Sequence, residues 1–143
     1  MARYVESENI AITDDERQII ARLIERKLES KKDKPSDDSL TPEQRKSGMI
    51  GWRCASLMDW KVCKALYEKY GGRVGFGSLG AWTAFDGQNK LIREHVNAGD
   101  IKFHNEQIEE AFWQHTKIDN FSDAYPKGEY LQKLLASPPH LRQ

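Results

Sequence analysis

Apolar residues recur along most of this chain at intervals of three and four, the spacing of helices that bury one side. Ile19, Ile20, Leu23, Ile24 and Leu28 form the first stripe, with Arg17, Arg22, Glu25, Arg26 and Glu29 on the other side. Thr13-Asp14-Asp15-Glu16 introduces it as a capping box, which predicts a helix starting after Thr13. The run from Lys31 to Ser39 has no apolar residue and contains Pro35, so it is expected to be a solvated connection. A second start signal, Thr41-Pro42-Glu43-Gln44, predicts a helix reaching Tyr70, where Gly71-Gly72 end it; Gly48 and Gly51 loosen its first turns. Trp52, Ala55, Ser56, Asp59, Val62, Cys63, Leu66, Tyr67 and Tyr70 share one face of that helix, flanked by Ile50, Cys54, Leu57, Met58 and Ala65. So wide an apolar arc marks it as central.

Half of the ten glycines then fall between Gly71 and Gly80, a segment expected to be irregular. A third helix is predicted over Ala81 to Ala98, with Ala84, Phe85, Gln88, Leu91, Ile92, His95 and Val96 on one face and Gly99 as its stop. A fourth is capped by Asn105 and runs through His115, with Ile108, Ala111, Phe112 and His115 inward. A fifth follows Pro126-Lys127-Gly128, carries Tyr130, Leu131, Leu134 and Leu135, and stops at Ser137-Pro138-Pro139. No segment alternates with period two. The expected fold is all-α: about five helices in an irregular bundle, with a Gly-rich loop after a long central helix. Residues 1–40 are read as an N-terminal helical arm and polar linker and 41–143 as a helical body, one compact unit overall.

With 143 residues the chain is long enough to bury roughly 70% of its unfolded surface. Mean hydropathy is −0.75 and 31% of residues are charged, yet four Trp, five Tyr and five Phe supply core material that a disordered chain lacks. Lys and Arg number 22, as do Asp and Glu, so the basic footprint of general nucleic-acid binding is missing and no nucleic-acid partner is expected. The run Arg26-Lys27, Lys31-Lys32 and Lys34 is interleaved with Glu25, Glu29 and Asp33, as on a solvated face. No apolar stretch is long enough for a membrane span, and Met1-Ala2-Arg3-Tyr4-Val5-Glu6 has neither the h-region nor the cleavage site of a signal peptide.

Cys54 and Cys63 lie nine residues apart on the central helix, ~13 Å of rise, beyond the ~7 Å a disulfide allows between Cα atoms. Two buried thiols are expected. Gly75-Phe76-Gly77-Ser78-Leu79-Gly80 fits G-x-G-x-x-G, but the element before it is a helix and the βαβ setting of a dinucleotide site is missing. The ordinary reading is a turn; the functional one is a loop that lets a partner backbone approach, with Arg73 as its charge and Phe76 as its apolar contact. His95, His104 and Glu106 could share an ion across a hairpin turning near Gly99-Asp100, whereas His115 would lie ~15 Å further along its helix. The ordinary reading of His95 and His115 is a hydrogen-bonded imidazole on an inward face. Asp59, between Met58 and Trp60, must be paired or protonated if it is buried: either salt-bridged to Arg53 or Arg73, or an acid in a pocket. Nothing sets a serine or cysteine against a histidine, so no enzyme activity, cofactor or metal is expected. Trp52, Trp60, Trp82 and Trp113, with the neighbouring Tyr and Phe residues, exceed what five short helices usually cover. Candidate binding residues are therefore Trp60, Tyr70, Arg73, Phe76, Trp82 and Asp59, around a groove near the glycine segment.

The amphipathic segment Leu23-Ile24-Glu25-Arg26-Lys27-Leu28, the polar gap and Leu40-Thr41-Pro42-Glu43-Gln44 together resemble the N-terminal helical region of SurA-like periplasmic chaperones and parvulin-type foldases, over residues 13–50. Leu66-Tyr67-Glu68-Lys69-Tyr70-Gly71-Gly72-Arg73-Val74, followed by Phe112-Trp113, is similar to small uncharacterised bacterial proteins grouped with those chaperones. The resemblance implies capture of unfolded or extended polypeptide in an apolar groove. It does not bring isomerase activity, since nothing looks like the parvulin domain itself. The expectation is a non-enzymatic, chaperone-like polypeptide-binding protein. The alternatives are an interaction or immunity-type domain that blocks one partner protein, and a small enzyme with Asp59, His95 or His104 in a cleft. The polar linker permits the arm to exchange between two copies. The compartment stays open: periplasmic if an export segment has been removed, otherwise cytoplasmic.

Overall fold

The computed structural model describes residues 1–30, 39–76, 82–116 and 125–138. Among them the order is α1 (Ala2–Ser7), α2 (Asp14–Glu29), α3 (Pro42–Tyr70), β1 (Val74–Phe76), β2 (Trp82–Ala84), α4 (Phe85–Asn97), α5 (Glu106–His115) and α6 (Gly128–Ala136). The all-α class holds, with two departures. Residues 2–7 add a short helix that no periodicity announced. Trp82–Ala84, expected as the first turn of a helix, instead forms an antiparallel two-stranded ribbon with Val74–Phe76, which pairs Val74 with Ala84 and Phe76 with Trp82. Three residues per strand are too few for alternation to register. The G-x-G-x-x-G residues after Phe76, most of the polar linker with Lys31, Lys32 and Lys34, and Pro139 lie outside the described residues.

Both predicted capping boxes form. Thr13 Oγ1 accepts from the Glu16 amide at 3.2 Å while Glu16 Oε2 accepts from the Thr13 amide at 2.9 Å, and Thr41 with Gln44 repeats the arrangement at 3.2 and 2.9 Å. Gly71 and Gly72 close α3 with φ of +66° and +89°, and Gly99 follows α4 at +82°, the left-handed backbone that glycine adopts without a Cβ penalty. Asn105 Oδ1 accepts from the Ile108 amide at 2.9 Å and starts α5.

Contacts divide the chain into two units, one of residues 1–62 and 133–143, the other of residues 63–132. In the first, α2 runs antiparallel to α3: Lys46 Nζ meets Glu25 near one end, and at the other Lys61 Nζ donates to Glu16 Oε2 and to the Ala11 carbonyl, both at 2.7 Å. Tyr4, Ile20, Ile24, Cys54, Leu57, Trp60 and Val62 are buried, with Leu135 of α6, and Trp60 Nε1 donates to the Leu134 carbonyl at 3.3 Å. In the second unit the buried set is Cys63, Leu66, Val74, Trp82, Ala84, Leu91 and Leu131. The two cysteines are buried and form no disulfide. No helix among the described residues is long and apolar enough to cross a membrane.

Candidate functional site

The corner where α3 ends and α4 begins is built by two backbone features and one ion pair. The left-handed turn at Gly71-Gly72 brings Arg73 beside the first turn of α4, where its carbonyl accepts from the Phe85 amide at 3.0 Å. Asp86, in that first turn and favoured there by the helix dipole, accepts from the Arg73 backbone amide at 2.6 Å. The guanidinium then grips the same carboxylate, Nη2 to Oδ1 at 2.6 Å and Nε to the two oxygens at 3.1 and 3.0 Å. This two-pronged grip is the strongest geometry an arginine offers a carboxylate. The Arg73 hydrogen bonds hold the Asp86 carboxyl below its ordinary pKa, outweighing partial burial, with help from the charges of Arg73 and Lys90.

Glycine makes the corner tight. A Cβ at Gly72 would stand 2.5 Å from Asp86 Cβ, one at Gly75 would meet the Phe85 ring at 2.3 Å, and one at Gly87 would press on Leu66 at 3.1 Å. Beside the corner opens a cleft of about 240 Å³ lined by Arg73, Phe85, Gln88, Asn89, His115, Thr116 and Tyr125. The Phe85 and Tyr125 rings lie 5.4 Å apart at a tilt of 58°, and the Arg73 guanidinium is 5.8 Å from the Tyr125 ring centre. Thr116 Oγ1 is committed to the Trp113 carbonyl at 2.9 Å. The side chains of Gln88, Asn89 and His115 make no hydrogen bond within the described residues. The cleft thus offers two aromatic walls, two amides able to donate and accept, and an imidazole, around an arginine whose charge is already balanced.

The predicted binding residues divide differently. Arg73 lines the cleft. Trp82, only 4% exposed, is core in the second unit, and Trp60, 6% exposed, is core in the first. Their burial takes both indoles off the surface that the expected groove required. Tyr70 is half-buried and donates to Glu94 Oε2 at 2.6 Å; burial and Glu94 push its phenol upward in pKa. Phe76 faces Trp82 across the ribbon by backbone register, and its side chain lies outside the described residues.

Asp59 is exposed and forms no ion pair among the described residues. It sits on an exposed part of α3, where partial desolvation raises its carboxyl pKa with no cation to oppose it. Arg73 pairs with Asp86 instead, and the Arg53 guanidinium lies 5.9 Å from the Trp52 ring centre. The reason is rotational. Lys46 and Lys61 anchor one side of α3 to α2, so Cys54 and Leu57 turn inward while Trp52, Ala55 and Asp59 turn out. His95 Nδ1 contacts Asp100 Oδ2 at 2.9 Å, and no cluster of His, Cys, Asp or Glu able to hold a metal occurs among the described residues. In α5 the expected inward set is also turned. Ile108 is 49% exposed and Ala111 and His115 are exposed, because the helix docks by Phe112 and Trp113, packed with Phe103 and capped by Arg93 at 4.0 Å from the Trp113 ring.

Of the cleft lining only Arg73 is among the predicted binding residues: Phe85, Gln88 and His115 were expected on inward helix faces, and Asn89, Thr116 and Tyr125, like Asp86 at the corner, had no predicted role. One signal was present: Gln88, a polar amide in the otherwise apolar stripe of Phe85, Leu91 and Ile92, is what a cleft wall looks like in a helix pattern. Comparison with models of known families, with curated proteins and with solved structures finds no match to this chain.

Proposed function

We propose that this protein is a non-enzymatic, chaperone-like binder of polypeptide, which holds an extended segment by seating one of its side chains in the cleft beside the Arg73 and Asp86 corner. The observation that carries this reading is the lining of the cleft: Phe85 and Tyr125 as apolar walls, with the side chains of Gln88, Asn89 and His115 lacking partners within the described residues. An extended peptide presents alternating side chains and unsatisfied main-chain N–H and C=O groups, and amides at the rim of an aromatic pocket complement both. The volume suits one large side chain rather than a cofactor. Arg73 is locked to Asp86, so the cleft carries little net charge and favours a neutral or apolar residue at its centre.

Titration of labelled, reduced and carboxymethylated α-lactalbumin, followed by fluorescence anisotropy, tests this reading. Saturable binding in the micromolar range is expected, weakened about tenfold by Phe85→Ala, the size of loss expected for an aromatic contact worth ~1.4 kcal/mol. No complex at ~200 μM protein, or binding indifferent to both Phe85→Ala and Gln88→Ala, would overturn it.

A further inference from the structure

The cleft beside the corner changes character along α4. Phe85, Gln88 and Asn89 all line it and lie three and four positions apart, on one side of the helix, so about one turn, ~5 Å of rise, separates the aromatic ring from the two amides. The Tyr125 ring stands beside Phe85, with 5.4 Å between centres, which makes that end aromatic. One turn on, the lining is polar. Gln88 and Asn89 are half-buried, and neither they nor His115, which joins the lining from the end of α5, make a hydrogen bond within the described residues. Each amide carries a donating NH₂ and an accepting carbonyl, and the imidazole adds a ring nitrogen of either kind. The cleft therefore asks for a flat apolar body whose polar tip can both give and take a hydrogen bond.

We infer that the side chain this cleft selects is a tyrosine of the bound segment, its ring against Phe85 and Tyr125 and its hydroxyl paired with the Gln88 and Asn89 amides. The inference rests on the polypeptide-binding reading of the cleft and narrows it to one residue type. Phenylalanine or leucine would complete the removal of two half-buried amides from water and pair neither, and a site with polar groups left unpaired is one that discriminates strongly. Asparagine or glutamine would pair the amides but give the two rings no flat partner. An indole covers the rings but only donates, so the NH₂ groups of the lining stay unmatched. A carboxylate finds its nearest cation, Arg73, already held by Asp86. The phenol of tyrosine is uncharged at neutral pH, and its hydroxyl both donates and accepts.

Displacement of labelled, reduced and carboxymethylated α-lactalbumin from the full chain tests the assignment, with uncharged heptapeptides that differ only in a central tyrosine, phenylalanine, tryptophan or alanine. The tyrosine peptide is expected to compete at about fivefold lower concentration than the phenylalanine peptide, the yield of one net hydrogen bond in a partly solvated cleft, with tryptophan between them and alanine weakest. The double variant Gln88→Met, Asn89→Leu is expected to bring the ratio of tyrosine to phenylalanine peptide within about twofold, and its thermal midpoint reports that the fold persists. A tyrosine peptide no better than the phenylalanine peptide, a preference that survives the double variant, or a complex displaced by none of the peptides at ~5 mM would overturn the tyrosine assignment. In those cases an α-lactalbumin complex weakened by Phe85→Ala leaves the polypeptide-binding reading standing. Failure of α-lactalbumin to bind at all would overturn that reading, and the assignment with it.

Discussion

The α2 and α3 pair and the corner joining α3 to α4 reach order by opposite means. In the pair, apolar stripes supply the burial, Ile20 and Ile24 on α2 and Cys54, Leu57 and Trp60 on α3, and the polar contacts, Lys46 with Glu25 and Lys61 with Glu16, sit at the two ends where they fix which sides meet. Any single contact there is one of many. In the corner few residues are involved, each in a role that its neighbours cannot fill: two successive glycines adopt left-handed backbone, a third admits the Phe85 ring, and one arginine grips one aspartate. Periodic burial spreads stability over many exchangeable positions, whereas a corner of this kind concentrates it in a few that have no substitute. The cleft lies beside the corner, so its geometry inherits that sensitivity.

The largest effect should therefore come from the smallest change in the corner. Gly72→Ala must hold a Cβ at φ +89° and place it 2.5 Å from Asp86 Cβ, which is backbone-proximal and cannot swing away. Left-handed strain of about 1–2 kcal/mol and a steric cost of about 1–3 kcal/mol give an expected destabilisation of about 2–4 kcal/mol in urea unfolding. Gly71→Ala, at φ +66° with nothing within 4 Å, carries the strain alone and should cost about 1 kcal/mol. Equal losses in the two variants would show that the close approach to Asp86 contributes nothing, and the contrast between the regions would fail at its most specific point.

Asp86→Asn comes next. The variant keeps the size of the side chain and removes the charge that Arg73 grips, with an expected cost of about 1–2 kcal/mol at neutral pH for a partly exposed, two-pronged pair. The carboxyl pKa is depressed in the folded chain, so the native state binds fewer protons than the unfolded one in the acid range. The stabilisation is complete above the unfolded value, about 3.9, and is lost as pH falls through the lower folded value. Glu16 acts in the same sense. Desolvation pushes its carboxyl up, but the hydrogen bonds from Lys61 and Thr13 outweigh it and leave the pKa lowered. Asp86→Asn should accordingly flatten the fall in stability between neutral pH and about pH 3 without abolishing it, and an unchanged pH profile would show that the pair does not stabilise the fold.

What could be read from the sequence follows the same division. Helix starts at Thr13, Thr41 and Asn105, and stops at Gly71 and Gly99, were legible because caps are local chemistry, written in two to four adjacent residues. Which side of a helix faces inward was less so. Trp52 drew the predicted buried face of α3 toward itself, yet the lysines at 46 and 61 decide the rotation, and their partners Glu25 and Glu16 are remote in sequence. The ribbon was invisible because its strands are three residues long, and the cleft because Arg73, His115 and Tyr125 converge only in three dimensions. Asp86 was legible as a residue suited to a helix start but not as the partner of Arg73, since nothing in the spacing distinguishes it from Asp59 or Asp100.

The smallest expected effect tests whether the periodic region is as local as it looks. Thr13→Ala removes the acceptor for the Glu16 amide and should cost about 1 kcal/mol, the usual value of a threonine cap. The same change at Thr41 removes an equivalent bond to the Gln44 amide and should cost the same if a cap acts only on its own helix. The two sites differ in one respect. Glu16 Oε2 accepts from the Thr13 amide and also from Lys61 Nζ, so the first box is tied to the anchor that orients α3, while Gln44 has no such second role. A cycle of Thr13→Ala with Lys61→Met should therefore show about 0.5 kcal/mol of coupling, and Thr41→Ala with Lys61→Met none beyond about 0.3 kcal/mol. Additive losses at Thr13 would make the capping box purely local, uncoupled from the Lys61 anchor that orients α3.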